Sequence, residues 1–429
     1  MTPSRAAALD ALNATLTGRA TLDRAFERAV DTRRLEGPDR AFVRALLGVT
    51  LRRLGEIDAA VKPLLQKPLP NRATRARDIL RLGAAQLMFL ETAPHAAVAE
   101  TVALANGDVE GYRGLINAVL RRMTREPPAA PTPDNAARLN TPGWLWESWR
   151  AAYGHELTAK IAAAHQAEPP LDLTIFKGEA AEWAERLGGV ALPNGTVRLR
   201  DAGAIPMLAG FGDGAWAPQD AAASAPARLL GDVSGKDVVD LCAAPGGKTA
   251  QLAANGARVI AVEVQRARVG RLAENLDRLR LTSEIAVADG TEWRPPSPAD
   301  AVLLDVPCSA TGTIRRHPDV AWTKSTAEVR ALKPLQAALL DNAARMLKPG
   351  GLMVYACCSL QPEEGEQQIE AFLKRNKGFR RKPLRRADLH GLPTAALTAA
   401  GDLRTLPAMW SDKGGMDGFY AARLMKLPK

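Results

Sequence analysis

From about residue 216 onward, short apolar runs alternate with longer amphipathic segments, and this alternation limits the fold more than any other feature of the chain. Strand-like runs fall at 236–241, 258–264, 284–288, 301–306 and 351–357. Helical patterns lie between them, notably Arg266 to Arg280 and Thr326 to Leu347. Strands alternating with helices specify a parallel sheet covered by helices. The predicted fold over 216–429 is therefore α/β and Rossmann-like. In such sheets ligands bind outside the carboxyl ends of the strands, so chemistry is expected there.

The rest of the chain reads differently. Residues 1–128 are predicted to be all helical, with apolar residues at steps of three and four, as in Ala41-Phe42-Val43-Arg44-Ala45-Leu46-Leu47. A Pro-rich linker follows, Pro127-Pro128-Ala129-Ala130-Pro131-Thr132-Pro133. Residues 140–215 read as a small α+β module: strands at Leu171 to Phe176 and Thr196 to Leu199, and a helix at Ala180 to Leu187. At 429 residues a multidomain chain is expected. Apolar stretches of membrane-spanning length are missing, and the first five residues, Met1-Thr2-Pro3-Ser4-Arg5, have no leader-like apolar core. The expectation is a cytoplasmic monomer with no membrane association.

Net charge is +10, which favours a polyanionic partner because Lys and Arg displace counterions from phosphates. The four cysteines, Cys242, Cys308, Cys357 and Cys358, form no CxxC pair, so neither a metal site nor a disulfide framework is expected.

Cys242-Ala243-Ala244-Pro245-Gly246-Gly247-Lys248 closes the first strand of the α/β region and opens a helix. Adjacent glycines let backbone approach a ligand closely, although a plain strand-to-helix turn explains them equally well. The segment has neither P-loop nor GxGxxG spacing. Asp240, Glu263, Asp289 and Asp305 fall at or near the carboxyl ends of successive strands. One such acid is usually a solvated turn or a cap. Four around one Gly-rich turn fit a ligand with a sugar diol, an adenine amine and a positive centre, and S-adenosylmethionine has all three. Cys308 follows the fourth strand and Cys358 closes the fifth, so both are expected at the same edge, whereas Cys357 should face the other way. A single cysteine is most often a small buried hydrophobe. Two beside Asp305 suit nucleophilic chemistry. A thiolate adding to carbon 6 of cytosine makes carbon 5 enamine-like, a carboxyl group near the ring steadies developing charge, and a base then removes the carbon 5 proton.

Three segments carry a resemblance: 240–249, Asp305-Val306-Pro307-Cys308-Ser309-Ala310-Thr311-Gly312 with its continuation to Asp319, and Tyr355-Ala356-Cys357-Cys358-Ser359. With Gln219-Asp220, Pro362-Glu363-Glu364 and Asp417-Gly418-Phe419, they resemble the NOL1/NOP2/Sun family of RNA 5-methylcytosine methyltransferases. Pro94 to Glu100 and Gly114 to Arg122 resemble the helical RNA-binding domain of the NusB antitermination factor. The resemblance implies an all-α NusB-like domain, a small α+β module and a methyltransferase domain. It implies S-adenosylmethionine bound by Cys242 to Lys248 with Glu263, Asp289 and Asp305. It implies Cys358 as nucleophile, Cys308 assisting product release, Asp305 beside the cytosine, and small-subunit (16S) ribosomal RNA as substrate. A transfer-RNA methyltransferase or a non-catalytic assembly factor are the alternatives. Three positions depart from the family pattern: Cys357 replaces a usual Thr, Glu263 a usual Asp, and Gly365 a usual Asn.

Arg315, Arg316 and His317, just after Cys308, are expected to meet RNA phosphate or to be ordinary surface residues. His95 and Asn117 shape an RNA-facing surface or serve helix packing. Trp144, Trp146 and Trp149 suit packing between modules. The basic run from Lys374 to Arg386 is either an electrostatic footprint or a solvated helix end.

Overall fold

Small residues dominate the first helix, Pro3–Leu16, where Ala6, Ala7, Ala8 and Ala11 are buried and let neighbouring helices pack against its backbone. The computed structural model describes residues 3–18, 20–200 and 202–428; Met1 and Thr2, at the head of the stretch tested above for a leader, lie outside the described residues. Two compact units emerge. The first comprises the residues up to Ala167 together with Ile314–Lys324, and the second comprises Glu168–Thr313 and Ser325–Lys429. No helix among the described residues is long and apolar enough to cross a membrane.

The first unit is helical throughout. Its core joins Leu9, Leu12, Phe26, Leu46, Leu47, Ile79 and Leu120. The helices Pro133–Leu139, Gly143–Tyr153 and His155–Ala164 belong to it, although the sequence places a module start near 140. The cause is local. A Cβ on Gly55 would fall 1.8 Å from the carbonyl oxygen of Leu139, so the bare glycine permits backbone-to-backbone approach. Asn140 then reciprocates with Glu56, donating to its carboxylate at 2.9 Å and accepting from its backbone N–H at 3.1 Å. Trp146 and Trp149 are buried inside this unit, Trp149 against His165, so they pack within it rather than between modules. Burial, then the charges of Arg315 and Arg52, push His165 down to about 3, so the ring is neutral at physiological pH.

The segment Ile314–Lys324 corrects an expectation. Arg52 donates to the carbonyl of Arg315 at 2.7 Å, the Trp322 indole donates to the carbonyl of Leu51 at 2.8 Å, and the Leu22 amide donates to Asp319 at 3.1 Å. Arg315 is 1% exposed, so it does not face RNA. The apolar neighbours Ile314, Val320 and Ala321 bury the segment and take Arg315 with them. Arg316 is half-buried and His317 is exposed.

The second unit holds two sheets. Strands β1 (Leu171–Ile175), β2 (Val190–Ala191), β3 (Thr196–Leu199) and β4 (Trp216–Pro218) form an antiparallel sheet in the order β2-β3-β1-β4. Its last strand lies beyond the expected boundary at 215. Buried Arg198 grips Asp172 through two hydrogen bonds of 2.7 Å and also donates to the carbonyls of Lys413 and Gly415. Those bonds tie the small sheet to the C-terminal region, which is why both fall in one unit.

The larger sheet contains β5 (Asp237–Leu241), β6 (Arg258–Val262), β7 (Glu284–Ala286), β8 (Ala299–Asp305), β9 (Leu347–Cys357), β10 (Phe379–Arg381), β11 (Leu403–Thr405) and β12 (Phe419–Lys426). The order is β10-β12-β9-β8-β5-β6-β7, with β11 also on β12. The strands from β9 to β7 are parallel, as expected, and β10, β11 and β12 are antiparallel additions. Alternate residues feed two cores: Val238, Leu303 and Val354 on one face, Val239, Val302, Leu304 and Tyr355 on the other.

Candidate active site

The turn after β5 is held in conformations that few side chains tolerate. Cys242 has φ +61° and Gly246 φ +100°, and a Cβ on Gly246 would sit 2.6 Å from Leu272 Cδ1. The helix Gly247–Ala254 starts directly after, so its first free N–H groups face the carboxyl edge of the sheet. Asp240 is buried; one carboxylate oxygen accepts from Thr249 at 2.6 Å and the other, Oδ1, has no hydrogen-bond partner. Burial raises this carboxyl to about 7, with the Thr249 hydrogen bond and Lys248 opposing. The Cys242 thiol is likewise pushed up to about 12 by burial and by the charges of Glu263, Asp305 and Asp240.

Glu263 follows β6 and is buried, with its carboxylate 3.2 Å from the Arg268 guanidinium. Arg268 also donates to the carbonyl of Ala244, so one side chain braces the acid and the turn together. Asp289, beyond β7, is exposed and accepts from the Thr291 amide and hydroxyl, which hold its carboxyl below the usual range. Val264 is 58% exposed and Val287 45% exposed beside these acids, two large apolar side chains left uncovered at adjacent strand ends.

On the other side of the turn, Lys248 pairs with Asp305 at 2.7 Å and lies 5.1 Å from the Phe419 ring centroid. Burial works to lower Lys248, yet Asp305, Asp240 and Cys358 outweigh it and raise the ammonium. Cys308 and Cys358 stand with their sulfur atoms 3.4 Å apart, each half-buried and free. The contact with Cys308, then burial, raise the Cys358 thiol well above its ordinary value. Cys357 is fully buried, its thiol donating to the carbonyl of Glu364 at 3.3 Å.

A buried polar network holds the two cysteine loops in register. Glu364 accepts from the Ser309 amide at 2.9 Å, the Ser309 hydroxyl at 2.5 Å and Gln336 at 2.9 Å. The Gly312 amide donates to the carbonyl of Cys358 at 2.9 Å, and the Leu360 amide donates to Thr311 at 3.0 Å. A Cβ on Gly312 would lie 2.0 Å from the carbonyl oxygen of Gly418, so the loops touch through bare backbone. The structure thus brings Lys248, Asp305, Cys308 and Cys358 together, sets Asp240, Glu263 and Asp289 along neighbouring strand ends, and turns Cys357 away. Glu364, Arg268, Val264 and Val287 are additions that sequence reasoning did not assign. Only Glu364 carried a signal, through the Pro362-Glu363-Glu364 motif.

A family described as 16S rRNA methyltransferase RsmB/F matches residues 227–425, and the NusB family matches residues 2–125. The ribosomal RNA small subunit methyltransferase B of Cronobacter sakazakii is 34% identical over 90% of this chain and 91% of its own length. The protein of that name from Pseudomonas syringae is 35% identical over 99% of this chain and 97% of its own. The chain belongs to the ribosomal RNA small subunit methyltransferase B family. Its fold extends to a solved structure designated PH0851, with TM-score 0.79 and 23% identity over 99% of both chains. This family combines the two architectures seen here, a NusB-type helical region and a methyltransferase sheet.

Proposed function

We propose that the protein transfers a methyl group from S-adenosylmethionine to carbon 5 of a cytosine in small-subunit ribosomal RNA, through a covalent bond between Cys358 and the base. One observation carries the reading: two free thiols in contact at 3.4 Å, beside a Lys248–Asp305 pair, at the edge where an α/β sheet binds ligands. The relatives' names supply the polymer, ribosomal RNA of the small subunit.

The residues present fit the cofactor. The orphaned Asp240 oxygen lies under the turn, Gly246 excludes any side chain from it, Glu263 is placed for a ribose diol, and Val264 and Val287 offer apolar surface for an adenine. When bound, S-adenosylmethionine supplies an electrophilic methyl on a sulfonium.

The protein's own groups do the rest. The target nucleotide leaves its stack to reach the half-buried thiols. The Cys358 proton passes to the Asp305 carboxylate, which delivers it to ring nitrogen 3 as the sulfur bonds to carbon 6, and carbon 5 becomes an enamine-like nucleophile. Asp305 faces the ring, and the Lys248 ammonium balances its charge. After methylation Cys308, as the thiolate with its proton released to solvent, takes the carbon 5 proton, the carbon 6–sulfur bond breaks with its electron pair returning to Cys358, and ring nitrogen 3 gives its proton back to Asp305. The elevated Cys358 thiol means that ionisation must be helped by the bound substrate or cofactor.

The test uses purified protein, S-adenosylmethionine and unmodified small-subunit rRNA. Wild type is expected to yield 5-methylcytosine. Cys308→Ala is expected to accumulate an RNA adduct on a denaturing gel, and Cys358→Ala to give neither adduct nor product. An adduct that survives in Cys358→Ala sinks the nucleophile assignment, and folded, cofactor-bound wild type that makes no 5-methylcytosine sinks the reaction.

A further inference from the structure

Eight basic residues lie between 374 and 386, and the fold engages two of them. Arg375 pairs with Asp341 at 3.1 Å and Arg381 with Asp402 at 3.2 Å. The next acid, Asp388, is occupied by Arg423 at 3.1 Å. Lys374, Lys377, Arg380, Lys382, Arg385 and Arg386 are exposed and make no ion pair among the described residues. Glu370, one helical turn before Lys374, is the exposed acid left nearby in sequence. The local acids are taken by Arg375, Arg381 and Arg423, and the outer cations are left uncompensated.

These cations surround β10, the edge strand of the eight-stranded sheet. Charged side chains on an edge strand commonly block edge-to-edge association. That explains Arg380, which lies on the strand. It does not explain Lys374 and Lys377 before it or Lys382, Arg385 and Arg386 after it.

Strand register locates the patch. β12 pairs Tyr420 with Cys357 at one end and Lys426 with Phe379 at the other. Six residue steps of about 3.4 Å put Phe379 about 20 Å along the sheet from the cysteine loop, and Lys382, whose amide donates to the carbonyl of Arg423, is about three steps or 10 Å from it. The patch is therefore separate from the catalytic edge, on the same rigid unit.

We propose that the 374–386 face binds the phosphate backbone of the RNA substrate about 10–20 Å from the target base. The substrate must then extend well beyond the modified nucleotide and its immediate neighbours, as a folded ribosomal RNA segment does. The inference rests on the RNA methyltransferase reading above and adds a second contact to it.

The experiment compares wild type with the variant Lys377→Glu/Arg380→Glu/Lys382→Glu/Arg385→Glu, on full-length small-subunit rRNA transcript and on a short hairpin centred on the cytosine that wild type methylates. For the transcript, KM should rise about tenfold or more, and the slope of log binding constant against log salt should shrink by about three for four lost contacts. At saturating transcript kcat should hold, and KM for the hairpin should not change. Equal melting temperature and cofactor affinity in both proteins would establish that the variant is folded. Unchanged KM and salt slope on the transcript overturn the proposal and leave edge protection as the role of the charges. Equal losses on hairpin and transcript overturn it too, because the contact is then not remote. If wild type makes no 5-methylcytosine, the catalytic reading fails; filter binding of the transcript still decides the patch.

Discussion

The two halves of the candidate site are built by different physics. The turn from Cys242 to Lys248 is shaped by backbone: left-handed conformations at Cys242 and Gly246, no room for a side chain, and a helix start. The cysteine loops are shaped by side chains. Glu364 alone collects three hydrogen bonds from Ser309 and Gln336, and Ser309, Thr311 and Ser359 cross-link the two loops. A backbone-built site tolerates substitution around it and fails at its glycines. A network-built site fails when one buried acceptor is removed, because every donor left behind has lost water as well as its partner.

The largest effect should come from breaking that network. Glu364→Ala is expected to lower kcat about 100-fold while cofactor affinity stays within about threefold, and to cost about 2–4 kcal/mol of stability. Steady-state kinetics, isothermal titration and urea unfolding would check it; equal damage to both halves would erase the distinction.

Gly246→Ala attacks the other half. A side chain at φ +100°, 2.6 Å from Leu272, should cost about 1–3 kcal/mol and show as weaker cofactor binding, with Cys358 alkylation unchanged.

Asp240→Asn sharpens the comparison through pH. With its carboxyl raised from 3.8 to about 7, the folded protein holds a proton that the unfolded chain releases. Stability from this group is therefore present below about pH 4 and lost as pH climbs toward 7. Asn cannot ionise, so the melting temperature of the variant should fall less than that of wild type between pH 5 and pH 8. A parallel pair of curves would show that Asp240 is not buried in the way described.

The smallest effect concerns the thiols. Cys308 is the first cause of the raised Cys358 thiol, so Cys308→Ala should move the pH midpoint for alkylation of Cys358 lower, with Cys357 protected by burial. An unmoved midpoint would show that the sulfur contact does not control ionisation.

Legibility followed the same division. The strand–helix alternation exposes the parallel strands, and because strand ends gather ligands, the sequence alone puts Asp305, Cys308 and Cys358 at one edge. The opposite facing of Cys357 followed from the two-residue period of a strand. What stayed hidden was long-range. Nothing near Glu364 announces that its carboxylate reaches Ser309, 55 residues back. β12 carries apolar residues on both faces, and the glycines before it, Gly414, Gly415 and Gly418, give its start but not its direction, while Arg315 reads as a surface cation until Ile314, Val320 and Ala321 are seen carrying it inward.

The excursion of Ile314–Lys324 restricts how this protein can be divided. The peptide leaves the catalytic unit just after the Cys308 loop, docks on the helical unit through Asp319 and Trp322, and returns before Ser325. Cutting the chain once at Ala167 would strip Val320, Ala321 and Trp322 of their cover and leave a sticky apolar hook a few residues after Cys308 in the chain. Gene order suggests two parts that can be swapped, but a catalytic half made alone should be prone to aggregation, and recombination between relatives should succeed only when the hook and its receptor helices travel together.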